Sequence, residues 1–390
     1  MNNKNDITNN KNPLISICVT FFNSGRYIHR ALESCLNQAY KNIEVVVVDD
    51  ASTDNSEAVL REYAARDSRV SYYRNNKRIG LAESELQMFK FAKGEFSMMM
   101  GADDWLARDY IKNGVRSLLE HPDAAGVIPK MTSLLEVSNN KFKFLNNTFE
   151  AFIPPGIYST KWFIKRMYRP IHLFISTFAL VRTKDYISAM DYYVKNYYYN
   201  PSKSTPEELK KFFKMAFGMD VAIFPEILTR YKNFVFDSSL NYIKIAFWNG
   251  QANHFDFNKN SLSEIFREAY YFLLLYTYIY KFKWEKFYSG MKIFLGAETL
   301  STVFIYFFRR GMHFSFLNFS ESKNNIRGFF NDFSLFEIVI SVMYSIPMVA
   351  YRCLSFLMRK LIRRKKYEIK ESLIFNQEKF LDMDGHFKVK

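Results

Sequence analysis

The sequence predicts an α/β fold, a largely parallel sheet built from βαβ units, followed by a C-terminal mostly helical module. Three observations predict it. Apolar runs alternate with stretches of helical spacing four times before residue 120, acidic pairs stand at the ends of two of those runs, and the chain turns aromatic after about residue 140 and helical, aromatic and basic from about 260.

Residues 14–22, LISICVTFF, form an apolar run without helical gaps and read as a buried strand. Asn23, Ser24 and Gly25 punctuate the chain, and Ser24 is placed to cap a helix over 26–38. After Asn42, IEVVVVDD is a second strand rich in β-branched residues. The turn ASTDNS follows it, then a helix over 56–66. VSYYR (70–74) is a third strand. RIG breaks the chain, 81–92 has helical spacing, and Gly94 ends that helix. EFSMMM (95–100) is a fourth strand, with Gly101 and the pair Asp103-Asp104 at its carboxyl tip. Residues 107–120 are helical again. This alternation predicts parallel strands with both sheet faces covered. In such sheets ligands bind beyond the carboxyl ends of the strands, where Asp49-Asp50 and Asp103-Asp104 lie.

Past residue 140, IHLFISTFALVR (171–182) reads as one or two strands. Residues 206–217 read as a short helix with Thr205 as its cap and Pro206 in its first position. FGMD (217–220) leads into a further helix reaching about Tyr231. The expected organisation is a loose polar leader (1–13), an α/β domain (14–255) and a helical, aromatic and basic module (256–390).

Bulk composition narrows the function. At 390 residues the chain exceeds one comfortable core. A net charge of +15 suits a polyanionic partner. The 3 cysteines show no metal spacing, which favours a reducing compartment. The N-terminus lacks the apolar core of a secretory signal, and no run of 18 uncharged apolar residues demands a spanning helix. No GxGxxG follows the first strand and no P-loop pattern occurs, which argues against a dinucleotide oxidoreductase or an NTPase. No nucleic-acid recognition motif accompanies the basic residues, so nucleic acid is not an expected partner.

The acidic pairs carry the chemistry. An enzyme that cleaves a sugar–diphosphate bond must neutralise the departing diphosphate, and a hard divalent cation held by carboxylates does so. In MMMGADDW an apolar strand stops, small residues allow close approach, and two Asp follow. The competing reading is a helix cap, since Asp is a common N-cap. In VVVVDDASTD a carboxylate at a strand end can accept hydrogen bonds from a nucleobase or a ribose; the competing reading is turn chemistry. Asp220 in FGMD can serve as general base toward an acceptor hydroxyl, and its competing reading is again a helix cap.

ISICVTFFNSGRYIHRALESCLNQAYKNIEVVVVDDASTDNS resembles the opening of family 2 glycosyltransferases, which have the GT-A (Rossmann-like, nucleotide-diphospho-sugar transferase) fold. RIGLAESELQMFKFAKGEFSMMMGADDWLARDYI resembles the segment running into that family's metal-binding DxD region. The resemblance is strongest over 14–120 and fades toward 250. It implies that Phe21, Phe22 and Asn23 line the base pocket, that Asp50, with Asp49 beside it, contacts the nucleobase, and that Arg74 and Gly80 pass near the donor. It implies that one or both of Asp103 and Asp104 hold Mn2+ or Mg2+, that Asp220 is the base, and that Arg182 lies on the acceptor side. Three positions depart from the pattern. Gly101 stands where the first acidic residue is usual, Met219 where Glu precedes the base, and Glu83 and Glu85 where arginine or asparagine is common.

Near the C-terminus, the uncharged stretch from Ile338 to Tyr351 would reach about 21 Å as a helix, short of a bilayer core of about 30 Å. Arg359, Lys360, Arg363, Arg364, Lys365 and Lys366 follow. The pairing reads as an interfacial anchor with a polybasic flank; the competing reading is a packed helical domain. The resemblance therefore implies an inverting, metal-dependent glycosyltransferase, with a UDP-sugar as the favoured donor and a saccharide acceptor, often lipid-linked in that family. It would act in surface polysaccharide synthesis at the cytoplasmic face of the plasma membrane, peripherally bound to an anionic surface. The alternative is a non-catalytic membrane-surface binding protein on a degenerate transferase scaffold.

Overall fold

The structure, a computed structural model, describes residues 12–138, 141–147, 154–160, 178–199, 230–247, 334–347 and 374–376, with single positions or pairs at 223, 226–227, 296–297, 300 and 350. The chain divides into two units. One comprises Met1–Ser204, Lys210–Ala252 and Leu373–Lys390, the other Thr205–Leu209 and Asn253–Ser372.

The first unit is built on a mixed sheet. Its strands are β1 (Ile15–Phe21), β2 (Ile43–Asp49), β3 (Val70–Arg74), β4 (Phe96–Gly101), β5 (Trp105–Leu106), β6 (Ala124–Ser138), β7 (Lys141–Asn147), β8 (Gly156–Ser159), β9 (Leu180–Arg182), β10 (Asn233–Phe247) and β11 (Ile374–Asn376). Helices α1 (Ile28–Leu36), α2 (Ser56–Arg66), α3 (Leu81–Phe91), α4 (Tyr110–Glu120) and α5 (Thr183–Tyr193) connect them. The strand order is β11-β7-β6-β9-β4-β1-β2-β3, with β10 beside β5, β6 and β8. Strands β3, β2, β1 and β4 run parallel, so their carboxyl ends share one side of the sheet.

Every residue of β2 is buried, and Val45, Val46, Val47 and Val48 are wholly so. An unbroken buried run means that both faces of the strand are covered. Each such valine contributes about 1.5–3 kcal/mol of apolar burial, which fixes the rigid floor from which the acidic tips project. Helix α1 packs on β2 and β5, and α3 on β1 and β2. Ser24 does not cap α1 with its side chain. The helix starts at Ile28, and the Ser24 carbonyl accepts the Tyr27 and Ile28 N–H groups at 2.8 and 3.0 Å, closing a turn before the first helical residue.

Two long strands, β6 and β10, pair in parallel beyond β9, where the sequence pattern gave no strand. Ile243 and Ile245 of β10 join Trp105, Leu134 and Phe142 in one buried cluster. Of the expected strand over 171–182, residues 180–182 form β9 and 171–177 lie outside the described residues. The expected helix 206–217, Met219 and Asp220 also lie outside them.

In the second unit, residues 335–347 are helical (α6). The helix opens with a capping box. Ser334 N–H donates to Glu337 Oε2 at 2.9 Å, and Glu337 N–H donates to Ser334 Oγ at 3.2 Å. Its buried stripe is polar, comprising Glu337, Ser341 and Ser345, whereas Leu335, Phe336, Met343, Tyr344 and Ile346 are exposed. Among the described residues no helix is long and apolar enough to cross a membrane.

Candidate functional site

The carboxyl ends of β2, β1 and β4 lie side by side. Asp49 is in register with Phe21, and Gly101 with Thr20. Two strand spacings separate Asp49 from Gly101, about 10 Å. The two acidic pairs expected from the sequence therefore flank β1 at one end of the sheet.

At the first pair the two carboxylates have different work. Asp49 is fully buried and ion-paired with Arg74; its Oδ1 accepts the Ser52 N–H at 2.7 Å and its Oδ2 the Tyr72 hydroxyl at 3.2 Å. Arg74 also donates to the Ser52 carbonyl at 2.7 Å. Asp50 holds the loop before α3. Its Oδ1 accepts from Ile79 N–H at 2.8 Å and Asn75 Nδ2 at 3.0 Å, and its Oδ2 from Gly80 N–H at 2.9 Å. Gly80 sits at φ 95°, a conformation that an L side chain disfavours. Facing this loop, Asn23 adopts φ 52° and its side-chain oxygen accepts Thr53 N–H at 2.8 Å, while its own N–H donates to Ser52 Oγ at 2.9 Å. Ala51 is also left-handed, at φ 60°. Non-glycine residues in this region are uncommon and mark a locally over-determined backbone. Phe21 is buried, and its carbonyl accepts the Asp50 N–H at 3.0 Å. The Phe22 ring lies 3.9 Å beneath the Arg78 guanidinium, which itself stands 3.9 Å from Asp50. Glu83 is drawn into the same surroundings: its carboxyl is raised by burial and then by the charge of Asp50.

At the second pair, Asp104 is fully buried and bound to β10. Its Oδ1 accepts the Ile245 N–H at 2.9 Å; its Oδ2 accepts the Tyr242 hydroxyl at 2.6 Å and the Lys244 ammonium at 3.3 Å. Asp103 is half-buried. Burial, and then the charge of Asp104, push its carboxyl up to about 6, with Lys244 and Arg30 acting in the opposite sense. Gly101 has a spatial reason. A Cβ there would meet Asp104 Oδ2 at 2.6 Å and Asp103 Oδ1 at 3.0 Å, so both carboxylates occupy the room an acidic side chain would need.

This donor set fits a hard divalent cation. Asp103 carries a charge that its surroundings disfavour, and a bound cation relieves that cost. Among the described residues no group of three or more His, Cys, Asp and Glu side chains surrounds the position. Among the described residues at most these two carboxylates would then contribute, leaving positions open to oxygens of a ligand.

Arg182 is not brought to these carboxylates. It is buried at the opposite end of β4, in register with Phe96, and donates to the Ala124 carbonyl at 2.8 Å. Five strand positions, roughly 17 Å, separate Phe96 from Gly101. Its guanidinium lies 4.9 Å from the Tyr231 ring, a packing role. Cys18 and Cys35 are buried free thiols, and burial raises both. Tyr242, Lys244 and Arg78 are site residues that the sequence reading did not single out. The alternating pattern of NYIKIAF (241–247) is the signal that marks a strand there and sets Tyr242 and Lys244 on one face.

Residues 16–187 match the family model described as glycosyl transferase family 2. Among curated proteins, the chain is similar to glycosyltransferase GlyG of Streptococcus pneumoniae, 31% identical over 132 residues, which make up 34% of this chain and 44% of that protein. It is also similar to the UDP-Glc:alpha-D-GlcNAc-diphosphoundecaprenol beta-1,3-glucosyltransferase WfaP of Escherichia coli, 33% identical over 102 residues, 26% of this chain and 40% of that protein. The chain thus spans less than half the length of these relatives. Among solved structures, S. aureus TarS in complex with UDP-GlcNAc superposes with a TM-score of 0.52 at 16% identity, over 86% of this chain and 89% of that one, a likeness of fold.

Proposed function

Residues 16–187 form a glycosyltransferase family 2 domain with the GT-A fold, and from that premise we propose that the chain transfers a sugar from a nucleotide-diphosphate donor, a UDP-sugar, to a saccharide acceptor with inversion. The observation that carries the reading is the pairing of two acidic strand tips on either side of β1, one holding a loop and the other raised toward neutrality.

In this reading Phe21, Phe22 and Asn23 line the base pocket with the Asp50-held loop and Gly80. Asp49 and Arg74 lock the wall behind it. Asp103 would hold Mn2+ or Mg2+, which when bound supplies Lewis-acid neutralisation of the departing diphosphate. Asp104, buried between β4 and β5 and bound to β10, would be the second carboxylate ligand. Asp220 takes the proton of the acceptor hydroxyl. At Gly101 the carboxylates of Asp103 and Asp104 lie in the space a side chain would need, which supports this reading over a degenerate scaffold.

UDP as carrier and a lipid-linked acceptor draw support from the WfaP relative, whose name states a UDP-Glc donor and a diphosphoundecaprenol-linked acceptor. Peripheral attachment to the cytoplasmic face of the membrane draws support from α6. That helix buries its serines and exposes its large apolar side chains, and basic residues follow in sequence at 359–366. Co-sedimentation with vesicles containing phosphatidylglycerol, but not with neutral vesicles, checks this part; binding independent of charge would count against it. The catalytic reading is tested by incubating the protein with UDP-sugars and Mn2+ and measuring UDP release. Metal-dependent release in the wild type and its loss in Asp103→Asn and Asp220→Asn support it. Equal release by all three proteins overturns the roles given to both residues.

A further inference from the structure

Lys244 is a feature of this site that the assignments above leave unused. It follows Tyr242 by two positions on β10, so the two side chains leave the same face of the strand. Both reach Asp104 Oδ2, Tyr242 at 2.6 Å and Lys244 at 3.3 Å. Asp104 is completely buried, yet the Lys244 side chain remains 24% exposed. Its stem passes from the core to the site surface, and Nζ lies 5.9 Å from the Phe178 ring.

The other two contacts already supply one short hydrogen bond to each Asp104 oxygen, from Ile245 N–H at 2.9 Å and from the Tyr242 hydroxyl. A charge-assisted N–H···O contact is ordinarily about 2.7–2.9 Å, so the ammonium sits further out than its charge alone would draw it. The charges also matter. Asp103 and Asp104 together carry −2 when ionised, and Lys244 brings the cluster to −1. That weakens the pull of the pair on a divalent cation without abolishing it, and it sets one partly exposed positive charge beside the carboxylates, where an anion's oxygen can reach it. A donor diphosphate is such an anion, and it would arrive at this end of the sheet.

We propose that Lys244 is a direct contact of the donor diphosphate, sharing its neutralisation with the metal, and that it weakens cation binding to the site before the nucleotide arrives. The inference rests on the donor reading above. It makes nucleotide and cation bind in concert: the diphosphate draws the ammonium toward itself and leaves the carboxylates to the metal.

The test uses direct binding on the full chain, with Lys244→Met, which keeps the length and removes the charge, and Lys244→Arg, which keeps the charge. Mn2+ alone is titrated by electron paramagnetic resonance, and UDP is titrated calorimetrically in EDTA. In Lys244→Met, Mn2+ should bind about fivefold tighter, while UDP without metal should bind about tenfold weaker. Lys244→Arg should stay within about threefold of the wild type for both. Opposite shifts cannot come from local damage, which weakens both ligands together. Unchanged or jointly weakened binding in Lys244→Met, with wild-type binding intact, overturns the inference alone. A wild type that binds neither UDP nor Mn2+ overturns the donor reading and this inference with it.

Discussion

The Tyr242 hydroxyl donates to Asp104 Oδ2 at 2.6 Å and accepts the Gly101 N–H at 3.0 Å, so a single phenol ties the end of β4 to the buried carboxylate that follows it. The strand end and the acidic pair are held as one unit by a residue far away in sequence. Tyr242→Phe keeps the packing against Phe178, whose ring is stacked at 4.0 Å, and removes only this link. The expected cost is about 1–3 kcal/mol, because a part-buried N–H loses its acceptor. Thermal denaturation measures it, and the UDP affinity gained from Mn2+ should fall in the same variant.

The raised carboxyl of Asp103 makes a pH-dependent stability prediction. Its folded value of about 6 lies above the ordinary carboxylate range. Between about pH 4 and 6 the folded state therefore binds more protons than the unfolded state, and stability falls as pH rises through that window. Above it the penalty is complete, on the order of 1–3 kcal/mol. Asp103→Asn should raise the melting temperature at pH 7.5 and change it little at pH 4, even as it abolishes metal-dependent transfer. Equal shifts at both pH values would contradict the assigned cause.

Gly101→Asp should not add a third metal ligand. The new Cβ would meet Asp104 Oδ2 and Asp103 Oδ1 inside contact distance. The expected result is a loss of about 1–3 kcal/mol of stability from overpacking and weaker, not stronger, Mn2+ binding by calorimetry.

Asp50→Asn tests the loop before α3. Both oxygens of Asp50 accept from N–H groups, and an amide presents only one acceptor atom. One backbone N–H must face an NH2 group. The expected destabilisation is about 2–4 kcal/mol, with a tenfold or greater loss of UDP affinity as the 75–80 loop relaxes. Hydrogen exchange at Ile79 and Gly80 should speed up in this variant.

The first half of the fold was legible in the sequence because each element there is locally consistent. The helix 56–66 and the strand 70–74 fall where spacing placed them, and the acidic pairs stand where buried β-branched or apolar runs end. The parallel pairing of β6 with β10 was not legible, because it joins segments more than a hundred residues apart and forms no local βαβ unit. For the same reason Tyr242 and Lys244 gave no sign of their role: nothing in NYIKIAF says that Asp104 lies opposite. Arg182 shows the converse case. A basic residue after an apolar strand looks like a ligand contact, but here it donates to backbone carbonyls at the far end of β4. The Ser24 cap failed because the Ser24 carbonyl, not its hydroxyl, closes the turn before α1.

The most direct test is calorimetric titration of UDP into wild-type protein and Asp103→Asn, each with and without Mn2+. The account predicts that Mn2+ tightens UDP binding at least tenfold in the wild type, about 1.4 kcal/mol, and has no effect in the variant. Equal UDP affinity in all four titrations, or a Mn2+ effect that survives in Asp103→Asn, would contradict it.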